Sequence, residues 1–401
     1  MKPHLNTSSQ AVTPSHSSLP AVSARALHLI QTLVQMNTVS HHSNLPLIHF
    51  VRDELHKLGV ASRLTTNRDK TKANLFATLG EGKPAGVILS GHTDTVPWDG
   101  QAWTRDPLGA APEGDKLYGR GSADMKGFIG LVVAQTERFL AADLPHAIHY
   151  AFSYDEEVGC FGVQHLIADL REANIAPRLC IVGEPTGMVP AVAHKGVYRW
   201  RCCVKGKPAH SSLTPKAVNA IEAGARLVVH IAGMGDAWRD GPERYEGFDV
   251  PFTTTSVGVM QGGIADNVVP EDCAFNYEFR NLPGTDAQDM QRRVLEEAAR
   301  LERPMKAVDA ATGFRFETIC AVPSFLARAD DEAVQMAQRL SGEPRTSLVA
   351  FGTEAGLFHR AGISTVVCGP GFIDQAHQPD EFVSLDQLAR CETFLQRLSA
   401  P

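Results

Sequence analysis

Carboxylate and imidazole side chains follow several apolar segments of this sequence. Residues 153–162 read SYDEEVGCFG and place Asp155, Glu156 and Glu157 side by side, directly after one such segment. Adjacent carboxylates repel one another, and their burial is unfavourable unless positive charge lies nearby. The segment is therefore either a solvated loop or part of a site that binds cations.

Other segments carry the same kinds of residue in the same place. His92 and Asp94 lie in SGHTDTVP, and Glu184 lies in IVGEPTG. His377 lies in CGPGFIDQAHQPDEF, and Asp124 lies in the glycine-rich segment YGRGSADMKGF before an expected helix. Singly, such residues are usually surface groups, core histidines or helix N-caps. Their recurrence in five segments favours a shared metal site.

Imidazole nitrogen and carboxylate oxygen are ligands of borderline and hard divalent ions. Five protein ligands exceed one tetrahedral shell, but two divalent ions that share a bridging carboxylate accommodate them. Paired ions roughly 3.5–4 Å apart are a known hydrolytic arrangement. The predicted ligands are His92, Asp124, Glu157, Glu184 and His377.

Asp94 stands two residues after His92. Residues two apart on an extended segment share a face. We therefore predict that the Asp94 carboxylate accepts the second N–H of the His92 imidazole and fixes its tautomer. The alternative is that Asp94 is a turn residue before Pro97.

Apolar segments with strand character alternate with amphipathic helical segments over residues 21–195 and again over 319–401. This pattern predicts an α/β catalytic domain, built on a large, mostly parallel mixed sheet with helices on both faces. Ligands of such sheets bind outside the carboxyl ends of the strands. The polar residues of the five segments are expected at that edge.

Residues 196–318 have a different pattern. VYRWRCCV alternates apolar and basic residues, which is typical of an antiparallel strand with one solvated face. Thr285 with Gln288 predicts a capping box for a following amphipathic helix. We expect a smaller inserted α+β domain, an antiparallel sheet with helices. Residues 1–20, rich in Ser, Thr, Pro and His, are predicted to be a disordered leader.

Composition narrows the class of partner. The chain has 401 residues, 43% of them apolar, and a formal charge of -7, which argues against nucleic acid or an anionic membrane as partner. No apolar stretch approaches the ~20 residues of a membrane span, and the N-terminal segment has no apolar signal region. Eight cysteines without a C-x-x-C pair predict reduced thiols and a cytoplasmic location.

GHTDTVP, GRGSADMKG, SYDEEVGC, VGEPT, GKPAHSS and AHQPDEF occur in this order. With these motifs the chain, from about residue 24 onward, resembles the M20 family of dinuclear zinc peptidases and amidohydrolases. The resemblance implies two divalent metal ions, Zn²⁺ first, with Co²⁺ or Mn²⁺ as alternatives. One ion would be held by His92, Glu184 and the bridging Asp124. The other would be held by Asp124, Glu157 and His377.

The resemblance also assigns residues to catalysis and substrate binding. Glu156 would be the general base. His210, in GKPAHSS, would stabilise the tetrahedral oxyanion in the partner subunit's active site, so the inserted domain would be both a lid and the interface of a homodimer. Arg280, in NYEFRNLPG, would bind the substrate carboxylate through its bidentate fork. A surface histidine and a surface salt bridge are the alternatives for these two residues. Further candidates for substrate binding are Asn267, Gly352 and Thr353, with Glu354 for a substrate ammonium group.

Within the family, SYDEEVGC, VGEPTG with AHKG, FGTEAGLF and QAHQPDEF are most similar to the proteobacterial branch that removes the acetyl group from N2-acetyl-L-ornithine. The resemblance therefore implies hydrolysis of a small acylated amino acid. Desuccinylation of N-succinyl-diaminopimelate, aminoacylase activity and carboxypeptidase activity are the alternatives within the family. A non-catalytic metal-bound protein that binds amino acids is a further alternative, although the complete ligand set beside Glu156 argues against it.

Overall fold

The computed structural model describes residues 21–84 and 86–400, and the predicted leader, 1–20, lies outside the described residues. The helices are α1 (Ala24–Val34), α2 (Leu45–Lys57), α3 (Lys126–Ala134), α4 (Thr136–Ala141), α5 (Phe161–Glu172), α6 (Ala220–Asp240), α7 (Ala287–Val308), α8 (Glu332–Ser341), α9 (Ala355–Arg360) and α10 (Leu385–Leu398). Short 3₁₀ helices span Ser211–Lys216 and Ile373–Gln375.

The strands are β1 (Ser62–Thr66), β2 (Ala73–Leu79), β3 (Val87–His92), β4 (Pro112–Glu113), β5 (Lys116–Tyr118), β6 (Ile148–Ser153), β7 (Leu179–Pro185), β8 (Ala191–His194), β9 (Val197–Lys205), β10 (Thr254–Gly262), β11 (Asp272–Arg280), β12 (Gly313–Val322), β13 (Phe325–Leu326), β14 (Ser347–Val349), β15 (Ser364–Gly369) and β16 (Phe382–Ser384). The short strands β4, β5 and β16 form a small sheet of their own.

The large sheet has the order β1-β2-β6-β3-β7-β15-β8-β13, with β14 beside β8. Its centre, β6-β3-β7-β15, is parallel, whereas the neighbours on either side pair antiparallel. Helices α2, α3, α5, α8 and α9 contact it. Strands β3, β6 and β7 are buried at every residue, because both faces of the sheet are covered. The predicted α/β class is therefore confirmed, with the parallel pairing concentrated in the centre.

The second domain is an antiparallel sheet of order β10-β11-β9-β12. Helices α6 and α7 pack on one face and share an apolar core with β9 and β11. In β9, Trp200, Cys202 and Val204 are buried in that core, whereas Arg201 is exposed. This alternation is the one that the sequence predicts. Strand β12 continues to Val322, beyond the predicted domain boundary at residue 318.

The predicted N-cap of α7 is wrong by one residue. Asp286, not Thr285, precedes the helix in an extended conformation, and its carboxylate accepts a hydrogen bond from the Gln288 amide at 2.9 Å. A carboxylate at this position also interacts favourably with the positive end of the helix dipole. The carbonyl of Thr285 instead accepts a hydrogen bond from Asn281.

The chain crosses between the two domains just before β9 and just after β12. A cavity of about 410 Å³ lies between the domains, lined by residues of both. It opens at the carboxyl ends of β3 and β7, the edge where the predicted ligands were expected. Among the described residues, no helix is both long and apolar enough to cross a bilayer.

Candidate metal centre

The register of the central strands brings two of the predicted ligands together. Strand β3 pairs with β7 so that Ser90 lies opposite Val182, which puts His92 level with Glu184 two residues further along. His92 Nε2 lies 3.7 Å from Glu184 Oε1. Both side chains are almost completely buried. Parallel pairing therefore places an imidazole and a carboxylate on one side of the site.

Asp124 lies between the two predicted histidines. Its Oδ1 is 2.8 Å from His92 Nε2, and its Oδ2 is 3.3 Å from His377 Nε2. His377 Nε2 is also 3.1 Å from Glu157 Oε2. One carboxylate oxygen therefore faces each histidine, the arrangement that the bridging role implied by the resemblance would need. All five predicted ligands thus meet at one place.

Burial makes this cluster unfavourable without added positive charge. Burial raises the pKa of Glu184 well above its ordinary value, and repulsion from Asp124 adds to the shift. Burial and the Asp124 charge likewise raise the pKa of Glu157. Although burial alone would lower it, hydrogen bonds to Asp124 and Glu157 raise the pKa of His377 to about 11. The carboxylates therefore draw cations toward themselves.

The donor set suits divalent metal ions. The ligand atoms of His92, Asp124 and Glu157 lie within 4.8 Å of one another, and so do those of His92, Glu156 and Glu184. Such imidazole and carboxylate donors suit zinc and similar ions. The second group contains Glu156, the predicted base. Its carboxylate therefore lies beside the predicted ligands His92 and Glu184.

Glu156 lines the cavity. Burial raises its pKa well above the ordinary value, against the opposing charge of His92. The Cys160 thiol donates to Glu156 Oε1 at 3.4 Å. Asp155, which precedes Glu156, adopts a positive φ of 58°. Its carboxylate pairs with the Lys72 ammonium instead of joining the predicted ligands. The bend after β6 therefore directs the three adjacent carboxylates to separate partners.

The role predicted for the Asp94 carboxylate differs in the structure. The carbonyl oxygen of Asp94, not its carboxylate, lies 3.0 Å from His92 Nδ1 and accepts a hydrogen bond from its N–H, which leaves Nε2 free to face the carboxylates. The carboxylate lies 3.7 Å from the same nitrogen. It accepts hydrogen bonds from the Glu156 amide at 3.1 Å, the Glu157 amide at 3.3 Å and the Ser40 hydroxyl at 2.7 Å. Asp94 thus positions the segment that carries Glu156 and Glu157.

The inserted domain contributes two arginines to the opposite wall of the cavity. Arg280 Nε donates to Glu278 Oε1, and Arg199 Nη2 donates to Glu278 Oε2, both at 3.1 Å. Arg199 was not predicted as a site residue. Its alternation with Trp200 indicated a solvated face, but only the pairing of Arg199 with Glu278 across β9 and β11 places it beside Arg280.

Of the predicted substrate contacts in residues 352–354, only Gly352 lines the cavity. Thr353 does not, because it is buried and its hydroxyl accepts the Ala355 amide at the start of α9. Glu354 is also buried, where it accepts hydrogen bonds from Ser90 and Ser153, and burial raises its pKa to about 7. It is therefore not available to a substrate ammonium group.

His210 and Asn267 lie together, away from the cavity lining. The Ser211 amide donates to the Asn267 carbonyl at 3.0 Å, and His210 forms a β-bridge with Val268. His210 is exposed, with its Nδ1 2.9 Å from the Ser212 hydroxyl. The two residues thus form one exposed end of the inserted domain, outside the cavity of their own chain.

Comparison with known proteins assigns the family. A sequence model of peptidase family M20/M25/M40 matches residues 88–400. The chain belongs to this family. It is 35% identical to the acetylornithine deacetylase of Myxococcus xanthus, over 95% of this chain and 97% of that one. It is 34% identical to the acetylornithine deacetylase of Proteus mirabilis (strain HI4320), over 86% of each.

Solved structures of this family share the fold. The M20 family metallo-carboxypeptidase Sso-CP2 from Sulfolobus solfataricus matches with a TM-score of 0.75 and 16% identity, over 94% of this chain and 100% of that one. A dinuclear metal-binding M20 peptidase from Bacillus subtilis matches with a TM-score of 0.61 and 14% identity, over 94% and 96%. These matches confirm the predicted fold class. The family model and the relatives confirm the predicted family, so the chain is a hydrolase of a metal-dependent family.

Proposed function

We propose that this M20 hydrolase removes the acyl group from a small N-acylated amino acid, with N2-acetyl-L-ornithine as the first candidate substrate. The observation that carries the proposal is the position of Glu156, a cavity-facing carboxylate beside the complete donor set. The names of the relatives and the SYDEEVGC and FGTEAGLF motifs support acetylornithine in particular.

The ligands would be His92, Asp124, Glu157, Glu184 and His377, with Zn²⁺ as the first candidate ion and Co²⁺ as the second. Two such ions would supply Lewis acidity, which lowers the pKa of water and polarises the acyl carbonyl. Glu156 takes the proton of the attacking water and delivers it to the leaving amine nitrogen. Arg280, with Arg199 beside it, binds the substrate carboxylate across the cavity.

We propose further that two chains form a homodimer through the inserted domain. Strand β10 is an edge strand whose apolar side chains are exposed, 50% at Val259 and 39% at Met260, and Ile264 just beyond it is 90% exposed. An exposed apolar edge favours pairing with another chain. The position of His210 outside its own cavity supports a role in the partner's site, where its imidazole would stabilise the tetrahedral oxyanion.

We place the protein in the cytoplasm as part of this proposal. All eight cysteines lie in the described part of the chain and are free thiols. Reduced thiols are usual in a reducing compartment.

The experiment that tests the proposal compares three substrates with the purified protein: N2-acetyl-L-ornithine, N-succinyl-LL-diaminopimelate and N-acetyl-L-methionine. We expect the highest kcat/KM with N2-acetyl-L-ornithine and loss of activity after chelation. Comparable kcat/KM on all three would refute acetylornithine specificity but keep the hydrolase. No amide hydrolysis with any of them in metal-loaded protein would refute the proposed function.

A further inference from the structure

His377 is the least enclosed of the predicted ligands. Its side chain is 45% exposed, whereas that of Glu157 is 6% exposed and that of Asp124 is also 6% exposed. It lies in the irregular segment between Gln375 and β16, with a positive φ of 60°. A non-glycine residue seldom adopts that conformation without support. Contacts to the backbone of His377 must therefore hold its imidazole toward the site.

Gln101 supplies such a contact. Its Nε2 donates to the His377 carbonyl at 2.9 Å. Its Oε1 accepts from Trp103 Nε1 at 2.9 Å and from Arg120 Nη2 at 2.6 Å. Because both of these partners can only donate, the orientation of the amide is fixed, and its N–H₂ group faces the His377 carbonyl.

The same network reaches the bridging ligand. Arg120 is buried, and its Nη1 donates to Glu381 Oε2 at 2.6 Å. Glu381 Oε1 accepts from the Ala123 amide at 3.1 Å and the Asp124 amide at 3.2 Å. A continuous chain of hydrogen bonds thus joins the backbone of His377 to that of Asp124, two ligands from distant parts of the sequence.

We propose that Gln101 is a positioning residue for the second cation. By holding the His377 carbonyl, it sets the affinity of the site formed by Asp124, Glu157 and His377. The site of His92, Asp124 and Glu184 depends on Gln101 only through the shared Asp124, because His92 and Glu184 are fixed by the buried strands β3 and β7. This inference rests on the two-cation centre proposed above and is independent of the substrate.

Arg120 and Glu381 are poor positions for a test, because breaking a buried ion pair is strongly destabilising. Gln101 is only partly buried, and Gln101→Glu keeps its shape and its acceptor for Arg120 and Trp103. The variant replaces the donor to the His377 carbonyl with a carboxylate oxygen, which repels that carbonyl, and it adds one negative charge. The added negative charge attracts cations, so a loss of cation affinity would come from the missing donor.

The test titrates Co²⁺ into metal-free protein, followed by visible absorption and calorimetry. We expect Gln101→Glu to weaken the second Co²⁺ by about tenfold or more, the effect typical of groups that orient metal ligands, with the first Co²⁺ unchanged. Excess Co²⁺ should restore kcat. The matched control is Gln338→Glu, because Gln338 Nε2 also donates to a backbone carbonyl, that of Pro344 at 2.7 Å, in a segment remote from the cavity.

Three outcomes overturn the inference alone. Either Gln101→Glu binds both ions as the parent does, or it weakens both ions equally, as a general structural defect would. An effect of equal size in Gln338→Glu would overturn it as well. If the parent protein binds fewer than two ions, the result overturns this inference together with the proposed metal centre, whereas two ions without any hydrolysis would overturn only the proposed function.

Discussion

Replacing Glu156 by glutamine tests the proton-transfer role of this side chain. Glutamine has nearly the same shape but cannot accept a proton from water at neutral pH. We expect kcat to fall by about 10²–10⁴-fold, the usual contribution of a general base. The protein should still bind two ions, because Glu156 is outside the predicted ligand set.

Although Glu156→Gln should lower kcat, it should raise the stability of the metal-free protein. Carboxylate oxygens of Glu156 and Glu184 lie within 4.8 Å of each other. At this separation, two full charges in an effective dielectric constant of about 20 would repel by about 3 kcal/mol, which is an upper limit because burial raises the pKa of both carboxyls. Glu156→Gln removes this repulsion, so the free energy of unfolding of metal-free protein should rise by up to about 3 kcal/mol.

The assay combines turnover, metal analysis and denaturant unfolding of the metal-free protein. Glu172→Gln on the exposed side of α5 is the matched control and should change none of the three. Loss of one ion from Glu156→Gln would show that Glu156 is a ligand, which the donor group of His92, Glu156 and Glu184 makes geometrically feasible. Turnover above a tenth of the parent value would refute its role as the base.

Three more predictions concern other parts of the molecule. Arg280→Lys should raise KM by roughly 10–100-fold through loss of the bidentate contact, whereas Arg201→Lys on the exposed face should leave KM unchanged in the same assay. Equal mixing of inactive His210→Ala and Glu156→Gln proteins should restore about a quarter of parental activity if His210 acts across a dimer, and none if it acts in its own chain. Burial lowers the pKa of His149 to about 4. As the pH falls below about 6.5, this imidazole is protonated in the unfolded chain but stays neutral in the folded chain. Stability should therefore fall by up to about 3 kcal/mol as pH drops from 6.5 to 4, and pH-dependent unfolding of His149→Gln should show a smaller fall.

The sequence alone predicted which five residues would meet at the edge of the sheet. His92, Glu157 and Glu184 lie at or just after the ends of apolar runs, Asp124 lies in a glycine-rich loop and His377 lies in the segment that follows β15. Parallel strands bring their carboxyl ends to one edge. That rule depends only on local pattern and chain order. The alternation of β9 likewise predicted a separate antiparallel domain, because alternation reflects one buried face.

Residue partners across the fold were decided only by the tertiary structure. Arg199 lies beside Arg280 because β9 and β11 pair in one particular register, and a register is not written in either strand alone. The Asp94 carboxylate contacts the amides of Glu156 and Glu157 rather than the His92 imidazole, because the bend after β6 passes over it. Such contacts join segments far apart in sequence, so they depend on how loops and strands pack, and no local pattern of residue types specifies them.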